Sequence, residues 1–500
     1  MRSKKAILNI VTSLMLQGIN IISGLIVPSM IIKNYGSDVN GLIVSIMQFL
    51  NYISLADGGA GGIIKAALYK PLADNDKDKT GRILLATRQF FNKIGVLFIS
   101  YVLILCVFYP DMVQSGFSEN FIVSLICILA ANTLIRYMFG ITNQLLIQAD
   151  QKSYITQLLQ CLVIVLNMVV TVLLIEFNAT IQVVKLYSIV AYLVAPVIQN
   201  IYVKKTYNLP KVLCPDNDAL KQRWDGFGQH IAYFIHTNTD VVLLTVFSTV
   251  SEVSVYSVYN LIASGLRNII FSISNGFSAA IGNMLAKEEE SALRITFEIL
   301  EWMNFVITFA FFSTANVMIL PFVGIYTNNV NDISYIRGTF ANILLLSEMI
   351  YCIRFPMVVT TNAAGHFKQT KKGAFIEAFI NIFISLCLVK KWGLIGVGIG
   401  TLMGMLYRTI DYVFYLKNNI VCRRPMLFVK EVLVNGIASL SAVAVIKSIK
   451  MPNPINYMEW TFQAIIAFAI ISLFLLGYNL LFYRNTTKTV IRKMMRMLRK

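Results

Sequence analysis

Segment 154–176 of the chain reads YITQLLQCLVIVLNMVVTVLLIE, an apolar run long enough to cross a bilayer as a helix. About 14 runs of this kind follow one another along the 500 residues. The composition agrees, because 57% of the residues are hydrophobic and only 14% are charged. The sequence therefore predicts an all-α polytopic membrane protein with about 14 transmembrane helices. The predicted spans are 6–32, 38–56, 83–109, 120–147, 154–176, 180–203, 228–249, 253–285, 296–323, 335–362, 372–389, 393–416, 429–449 and 460–483.

The distribution of basic residues predicts the orientation of these spans. If the amino terminus is cytoplasmic, most of the 43 Lys and Arg residues fall in cytoplasmic segments, as the positive-inside rule requires. We therefore expect a plasma-membrane (inner-membrane) protein with both termini in the cytoplasm. This topology accounts for the net charge of +18 without a nucleic-acid partner. The loops are too short for a catalytic domain, so we predict no enzyme activity, no catalytic residue and no cofactor.

The seven cysteines lack the spacing of metal ligands, so we expect free thiols and no metal site.

An internal repeat divides the chain into two halves. The segment GSDVNGL that starts at Gly36 corresponds to VSEVSVY, which starts at Val250, at an offset of 214. The same offset carries Asn167 onto Asn381. Six predicted spans separate equivalent points, so both halves have the same orientation, as in transporters with two parallel lobes.

The repeat predicts the domain organisation. An N-terminal six-helix lobe covers 1–205, and a cytoplasmic linker covers 206–227. A C-terminal six-helix lobe covers 228–418, an extra helix pair covers 429–483, and a basic cytoplasmic tail covers 484–500.

Three arginines within the predicted spans indicate the function. Arg136, Arg267 and Arg354 lie in apolar surroundings, where a charge costs at least ~2.5–3.5 kcal/mol. Guanidinium groups bind phosphate and carboxylate oxygens through two parallel hydrogen bonds. We therefore predict that these arginines line a central cavity that binds an anionic substrate. Arg408 is explained by a local ion pair with Asp411, three residues further on.

Polar residues at helical spacing accompany the arginines, and hydrogen bonds between helices are the alternative explanation for them. The predicted polar lining of the cavity is Asn9, Gln17, Asn20, Asn132, Asn260, Ser264 and Tyr351. A face formed by Gly396, Gly400 and Gly404 predicts close helix packing.

Two acidic residues are candidates for ion coupling. Asp57 follows the second span and Asp240 lies within the seventh, and a buried carboxylate there could bind H⁺ or Na⁺. Turn chemistry is the alternative for Asp57, and a polar contact within the lobe is the alternative for Asp240.

Two stretches resemble a known family. The segment from Lys33 to Leu42, KNYGSDVNGL, and the segment ISLADGG from Ile53 are similar to the first loop and second helix of bacterial polysaccharide flippases. These belong to the multidrug/oligosaccharidyl-lipid/polysaccharide exporter (MOP) superfamily. The segment NTDVVLL from Asn238, with SEVSVYSVY from Ser251, resembles the start of that family's second lobe.

The resemblance implies a transporter that moves a lipid-linked oligosaccharide on an undecaprenyl pyrophosphate carrier to the outer leaflet. Its partners would be that substrate, the bilayer, a polysaccharide polymerase with its assembly machinery, and H⁺ or Na⁺. Two alternatives are an ion-coupled drug exporter of the same superfamily and a membrane-embedded polysaccharide polymerase or ligase. A drug exporter for cations would need an acidic cavity, and a polymerase or ligase would need a large outer loop.

Overall fold

The computed structural model describes residues 2–210, 214–216, 227–449, 452–484 and 486–488. These residues form helices, and no strand occurs among them. Much of the predicted linker 206–227 and nearly all of the predicted tail 484–500 lie outside the described residues. The helices are α1 (Arg2–Tyr35), α2 (Ser37–Leu50), α3 (Ser54–Asp57), α4 (Ala60–Ala73), α5 (Lys77–Met112), α6 (Glu119–Ile135), α7 (Ile141–Ala149), α8 (Ser153–Glu176), α9 (Ile181–Tyr207), α10 (Phe227–Phe247), α11 (Val250–Asn275), α12 (Ser278–Ala286), α13 (Glu290–Tyr326), α14 (Gly338–Ile353), α15 (Phe355–Ala363), α16 (Phe367–Asn419), α17 (Pro425–Ser448) and α18 (Tyr457–Phe482).

The predicted fold class is confirmed, but the count of 14 transmembrane helices is not. Twelve helices of the described residues are long and apolar enough to cross a membrane. One of them, α16, covers the two predicted spans 372–389 and 393–416 and is interrupted at Gly393, where φ is 49°. In α10, the ten residues Asn238–Phe247 form a short apolar helix.

The two halves of α16 pack tightly against each other. A Cβ atom at Gly396, Gly400 or Gly404 would meet the backbone of residues 377–388 of the same helix. Asn381 Nδ2 also donates to Thr401 Oγ1 at 3.2 Å. The chain therefore reverses near Gly393, and the glycine face provides the close helix packing that its spacing predicts.

The helix bounds follow the same offset as the sequence repeat. The nine-residue helix α7, Ile141–Ala149, corresponds residue for residue to α15, Phe355–Ala363. The helix α8 begins at Ser153 and α16 begins at Phe367, and these two residues are again equivalent positions of the repeat. The repeat inferred from sequence is thus also a repeat of helix lengths and interruptions.

The chain divides into two compact units, Met1–Ser254 and Val255–Lys500. The first unit has a core of fully buried aliphatic side chains, among them Leu42, Leu50, Ile64, Leu125 and Leu146. Polar contacts attach α10 to α2 in this unit, because Ser45 Oγ and Thr245 Oγ1 lie 2.7 Å apart. The predicted lobe limits, drawn from the sequence repeat, remain a prediction.

The second unit has a core in which α13 packs against α17 and α18. Small side chains permit the close approach, since Ala438, Ala442 and Ala467 are fully buried beside Phe305 and Leu475. The helix pair α17–α18 is therefore an integral part of the second unit.

Candidate functional site

The helix of the second predicted span ends at Asp57. The helix α3 ends there, and Gly58 and Gly59 have left-handed backbone conformations with φ of 56° and 75°. The Asp57 Oδ1 atom accepts a hydrogen bond from Gly59 N at 3.0 Å, and Oδ2 accepts one from Tyr137 Oη at 3.2 Å. The first contact is the turn interaction given as the alternative for Asp57.

Arg136 begins a π-helical segment, Arg136–Gly140, that separates α6 from α7. Such segments often occur at functional sites, because the wider turn redirects side chains. The Arg136 side chain is exposed, and no carboxylate of the described residues lies within ion-pair distance of it. The neighbouring Tyr137 is buried and reaches Asp57. The first unit therefore combines an unpaired guanidinium, a tyrosine and a carboxylate near one helix break.

Arg267 of α11 is paired rather than free. Its Nη1 atom lies 2.7 Å from Oε1 of Glu348 in α14. The Arg267 side chain is 22% exposed, whereas that of Glu348 is 6% exposed. The guanidinium is thus held by a buried carboxylate while part of its surface stays open to other groups.

Arg354 lies at the junction of α14 and α15 and is 4% exposed. Its Nη2 atom lies 2.9 Å from Oε1 of Glu377, and the Tyr351 ring centroid lies 4.4 Å from its Cζ atom. Two further nitrogens of Arg354, Nε and Nη1, are buried and have no hydrogen-bond acceptor in the described part of the chain. The pair with Glu377 accounts for the charge inside the membrane without a substrate.

Arg408 joins the same network. Its Nη1 atom lies 2.6 Å from Asp411 Oδ2, so the predicted Arg408–Asp411 ion pair is confirmed. Its Nε atom also lies 3.7 Å from Glu377 Oε2. Three arginines of the second unit are thus matched by three carboxylates, those of Glu348, Glu377 and Asp411, and the cluster is locally neutral. We refer to these six residues as the neutral cluster.

The neutral cluster has no counterpart in the first half of the repeat. At the offset of the repeat, the equivalents of Arg267, Glu348, Arg354, Glu377, Arg408 and Asp411 are Ile53, Leu134, Gly140, Val163, Val194 and Val197. The tyrosine is shared, because Tyr137 corresponds to Tyr351. The two halves therefore keep one backbone plan but differ in their charges.

The predicted polar lining has mixed environments. Asn9 joins α1 to the start of α8, because its Nδ2 donates to Gln151 O at 3.1 Å and its Oδ1 accepts from Tyr154 N at 2.8 Å. The Ser264 hydroxyl donates to Leu261 O within its own helix at 3.3 Å. These two contacts are structural. The remaining lining positions are the exposed Asn20 and the partly buried Gln17, Asn132, Asn260 and Tyr351. Asp240, the second candidate for ion coupling, is buried.

A second buried charge cluster was not predicted from the sequence. Arg423, between α16 and α17, forms ion pairs with Glu301 of α13 and Glu431 of α17. Glu301 is fully buried and Glu431 is 5% exposed. Both glutamates lie within predicted spans, and a carboxylate there indicates a buried charge. The ion pairs could not be predicted, because Arg423 is distant from Glu301 in sequence. We refer to these three residues as the Glu–Arg–Glu triad.

No protein-family model matches this chain. No curated protein matches it either.

Solved structures do match. The lipid II flippase MurJ, in an inward closed conformation, is 16% identical with a TM-score of 0.72, over 96% of this chain and 99% of that chain. An inward-facing multidrug resistance MATE family transporter of the MOP superfamily is 15% identical with a TM-score of 0.67, over 83% of this chain and 98% of that chain.

A third match is a MOP superfamily transporter from Pyrococcus furiosus, whose description assigns reverse polarity to its binding pocket. It is 13% identical with a TM-score of 0.58, over 84% of this chain and 95% of that chain. The chain is thus a polytopic membrane protein with the fold of the flippases and exporters of the MOP superfamily.

Proposed function

We propose that this chain flips a lipid-linked oligosaccharide, carried on undecaprenyl pyrophosphate or a similar carrier, across the plasma membrane for cell-surface polysaccharide export. Its two lobes would alternate access to a polar route for the headgroup, with both termini in the cytoplasm. A polysaccharide polymerase and its assembly machinery would receive the product.

The observation that carries the proposal is the state of Arg136. This exposed guanidinium is unpaired within the described residues and lies midway along a predicted span. A permanent charge there needs water or an anionic group near it, because hydrocarbon does not solvate it. A pyrophosphate supplies several oxygens to one guanidinium, and the planar fork of arginine suits them better than the point charge of lysine.

The extent of the structural matches supports a flippase. The match to the lipid II flippase extends over nearly the whole of both chains. The match to the MATE transporter covers 83% of this chain, and the part that it does not cover is about as long as the segment from α17 to Lys500. The size of this chain therefore agrees better with the flippase.

Physical chemistry supports the same class of cargo. A pyrophosphate and hydrated sugars cannot cross about 30 Å of hydrocarbon unaided, because each unsatisfied polar group costs several kcal/mol there. Polar side chains along a route would replace water around the headgroup. The isoprenoid tail can stay in the bilayer, where its transfer costs little.

An ion-coupled exporter of small molecules is the second candidate. The observation that favours it is the neutral cluster, in which the charges of Arg267, Arg354 and Arg408 are balanced by carboxylates. If the second unit adds no net positive charge to the route, the case for an anionic cargo depends on Arg136.

The decisive experiment removes the protein from its host cell and identifies the lipids that accumulate. We expect a lipid-linked glycan to build up on the cytoplasmic side, and the wild-type chain to restore its export. Purified protein in liposomes should then transfer that lipid between leaflets. Unchanged lipid-linked glycans together with increased sensitivity to cationic drugs would instead identify an exporter.

A further inference from the structure

The Glu–Arg–Glu triad carries more negative than positive charge. Arg423 Nη2 lies 3.0 Å from Glu431 Oε1, and Arg423 Nη1 contacts Glu301 Oε2. One guanidinium thus serves two carboxylates, whose side chains are 0% and 6% exposed. A buried charge without a partner is strongly unfavourable, so the triad needs one more positive charge.

Two carboxylate oxygens of the triad indicate where the additional positive charge would bind. Glu301 Oε1 and Glu431 Oε2 are buried and have no hydrogen-bond partner among the residues that the structure describes. The neutral cluster lacks this excess, because Glu377 is contacted by both Arg354 and Arg408. Hard metal cations such as Ca²⁺ need about six or more oxygen ligands, and the triad presents two carboxyl groups. A proton needs only one oxygen.

We propose that Glu301 and Glu431 form a proton-binding site that holds one proton between them. The proton adds to a carboxylate oxygen and gives a neutral carboxyl group, while Arg423 keeps its charge. The triad then changes from one net negative charge to none. Its role in driving transport rests on the proposed function, whereas the binding of the proton does not.

A small cleft beside Arg423 gives a proton access to the triad. Arg423 lies in the short connection between α16 and α17, and its side chain is 10% exposed. Beside it is a small cleft lined by Phe297, Met357, Leu416 and Phe428, with room for about one water molecule. The other charged or titratable groups near the triad are Glu298, which pairs with Arg294, and Tyr483, which lies beside Lys430. Arg424 lines the same cleft, but it is exposed and forms no ion pair with either glutamate among the described residues.

The triad is also connected to α18. Asn435 Nδ2 donates to the Glu431 carbonyl at 2.9 Å, and Asn479 Nδ2 donates to Asn435 Oδ1 at 2.8 Å. The Asn479 Oδ1 atom accepts from Trp302 Nε1 at 2.8 Å, beside Glu301. The hydrogen bonds therefore run from α13 through α18 to α17, and a change of charge at the triad acts on how these three helices are held together.

The test uses the full chain in detergent or liposomes and needs no transport substrate. Infrared difference spectroscopy across a pH titration should show the carbonyl band of a protonated carboxylic acid that the Glu301→Gln/Glu431→Gln double variant lacks, and the wild-type protein should take up about one proton more per molecule than that variant as the pH falls. Glu301→Gln and Glu431→Gln keep the size of the side chain. We expect at least one of them to remove the band and the proton, and the double variant to remove both.

Glu298→Gln is the matched control, because it changes a neighbouring carboxylate that has its own partner, Arg294, and it should leave the band unchanged. A band and proton uptake unaffected by the double variant would overturn the proposal. Release of the proton by sodium chloride, but not by N-methylglucamine chloride, would identify the occupant as Na⁺ and also overturn it. In proteoliposomes, a pH gradient should accelerate transport of wild-type protein but not of the Gln variant that lacks the band.

Discussion

Asn40 Nδ2 donates a hydrogen bond of 2.7 Å to Ser254 Oγ, and the two residues are equivalent positions of the repeat. The next residue, Gly41, faces the backbone of Val250 so closely that a Cβ atom would overlap its carbonyl oxygen. Val250 and Ser254 thus contact the segment 36–42 directly within the first unit.

Gly41→Ala should therefore destabilise the protein. The added methyl group meets backbone atoms of Val250 and Ser254, which cannot rotate away. We expect a loss of about 1–3 kcal/mol, seen as a lower Tm in detergent. Gly62→Ala is the control, because nothing lies within 4 Å of a Cβ there. Equal Tm values for the two variants would mean that α2 and α11 do not pack as described.

Arg136→Ala should reduce transport while leaving Tm nearly unchanged, since the guanidinium is exposed and has no ion-pair partner within the described residues. A charged hydrogen bond to phosphate contributes about 1.5–3 kcal/mol, so we expect roughly a 10- to 100-fold loss. Arg136→Lys should recover part of the activity. Full transport by Arg136→Ala, measured per folded molecule, would remove this residue from the mechanism.

Arg354→Ala should mainly affect folding. It removes the shorter of the two arginine contacts of Glu377, 2.9 Å against 3.7 Å to Arg408, and breaking a buried ion pair costs about 3–5 kcal/mol. Adding Glu377→Gln to this variant should recover part of the stability. If Arg354→Ala instead keeps the wild-type Tm and loses transport, the residue acts on substrate, as the sequence predicts.

Arg267 is distinguished from Arg354 by its greater exposure. Arg267→Ala leaves Glu348 buried and without this ion pair, so both stability and transport should fall. In the double variant Arg267→Ala/Glu348→Gln, stability should return while transport stays low, because the exposed side of the guanidinium is still missing. Recovery of transport in the double variant would make the pair purely structural.

Gly400→Ala should destabilise the hairpin within α16. A Cβ atom at Gly400 would lie 2.7 Å from Asn381 O and 2.8 Å from Ser385 N. A loss of about 1–3 kcal/mol is expected, measured as the fraction of folded protein after heating. Gly477→Ala in α18 has open space around it and serves as the control. A neutral effect at Gly400 would contradict the close packing across Gly393.

Local patterns allowed much of the fold to be predicted. Apolar runs predicted the helices, equivalent segments predicted the repeat, and the spacing of Arg408 and Asp411 predicted their ion pair. The predicted boundary between the spans 372–389 and 393–416 coincides with the reversal of the chain at Gly393.

The ion pairs of Arg267 and Arg354 could not be predicted in the same way. Glu348 is 81 residues from Arg267, and Glu377 is 23 residues from Arg354, so no helical periodicity relates them. Glu348 is much closer in sequence to Arg354, yet in the folded protein it forms its ion pair with Arg267. Whether an arginine is buried against a carboxylate therefore depends on how the helices pack.

The interruption near Arg136 occurs twice in the chain by different means. In the first half, five residues, Arg136–Gly140, form a π-helical turn. In the second, α14 ends within the equivalent stretch 350–354, and Pro356 lies in the first turn of α15. The two halves therefore share an interruption at the same position of the repeat, although different residues produce it. In the first half, Arg136 at the interruption has no ion-pair partner among the described residues, whereas in the second half Arg354 is neutralised by Glu377, so two similar backbones present different electrostatic surfaces at the same bend.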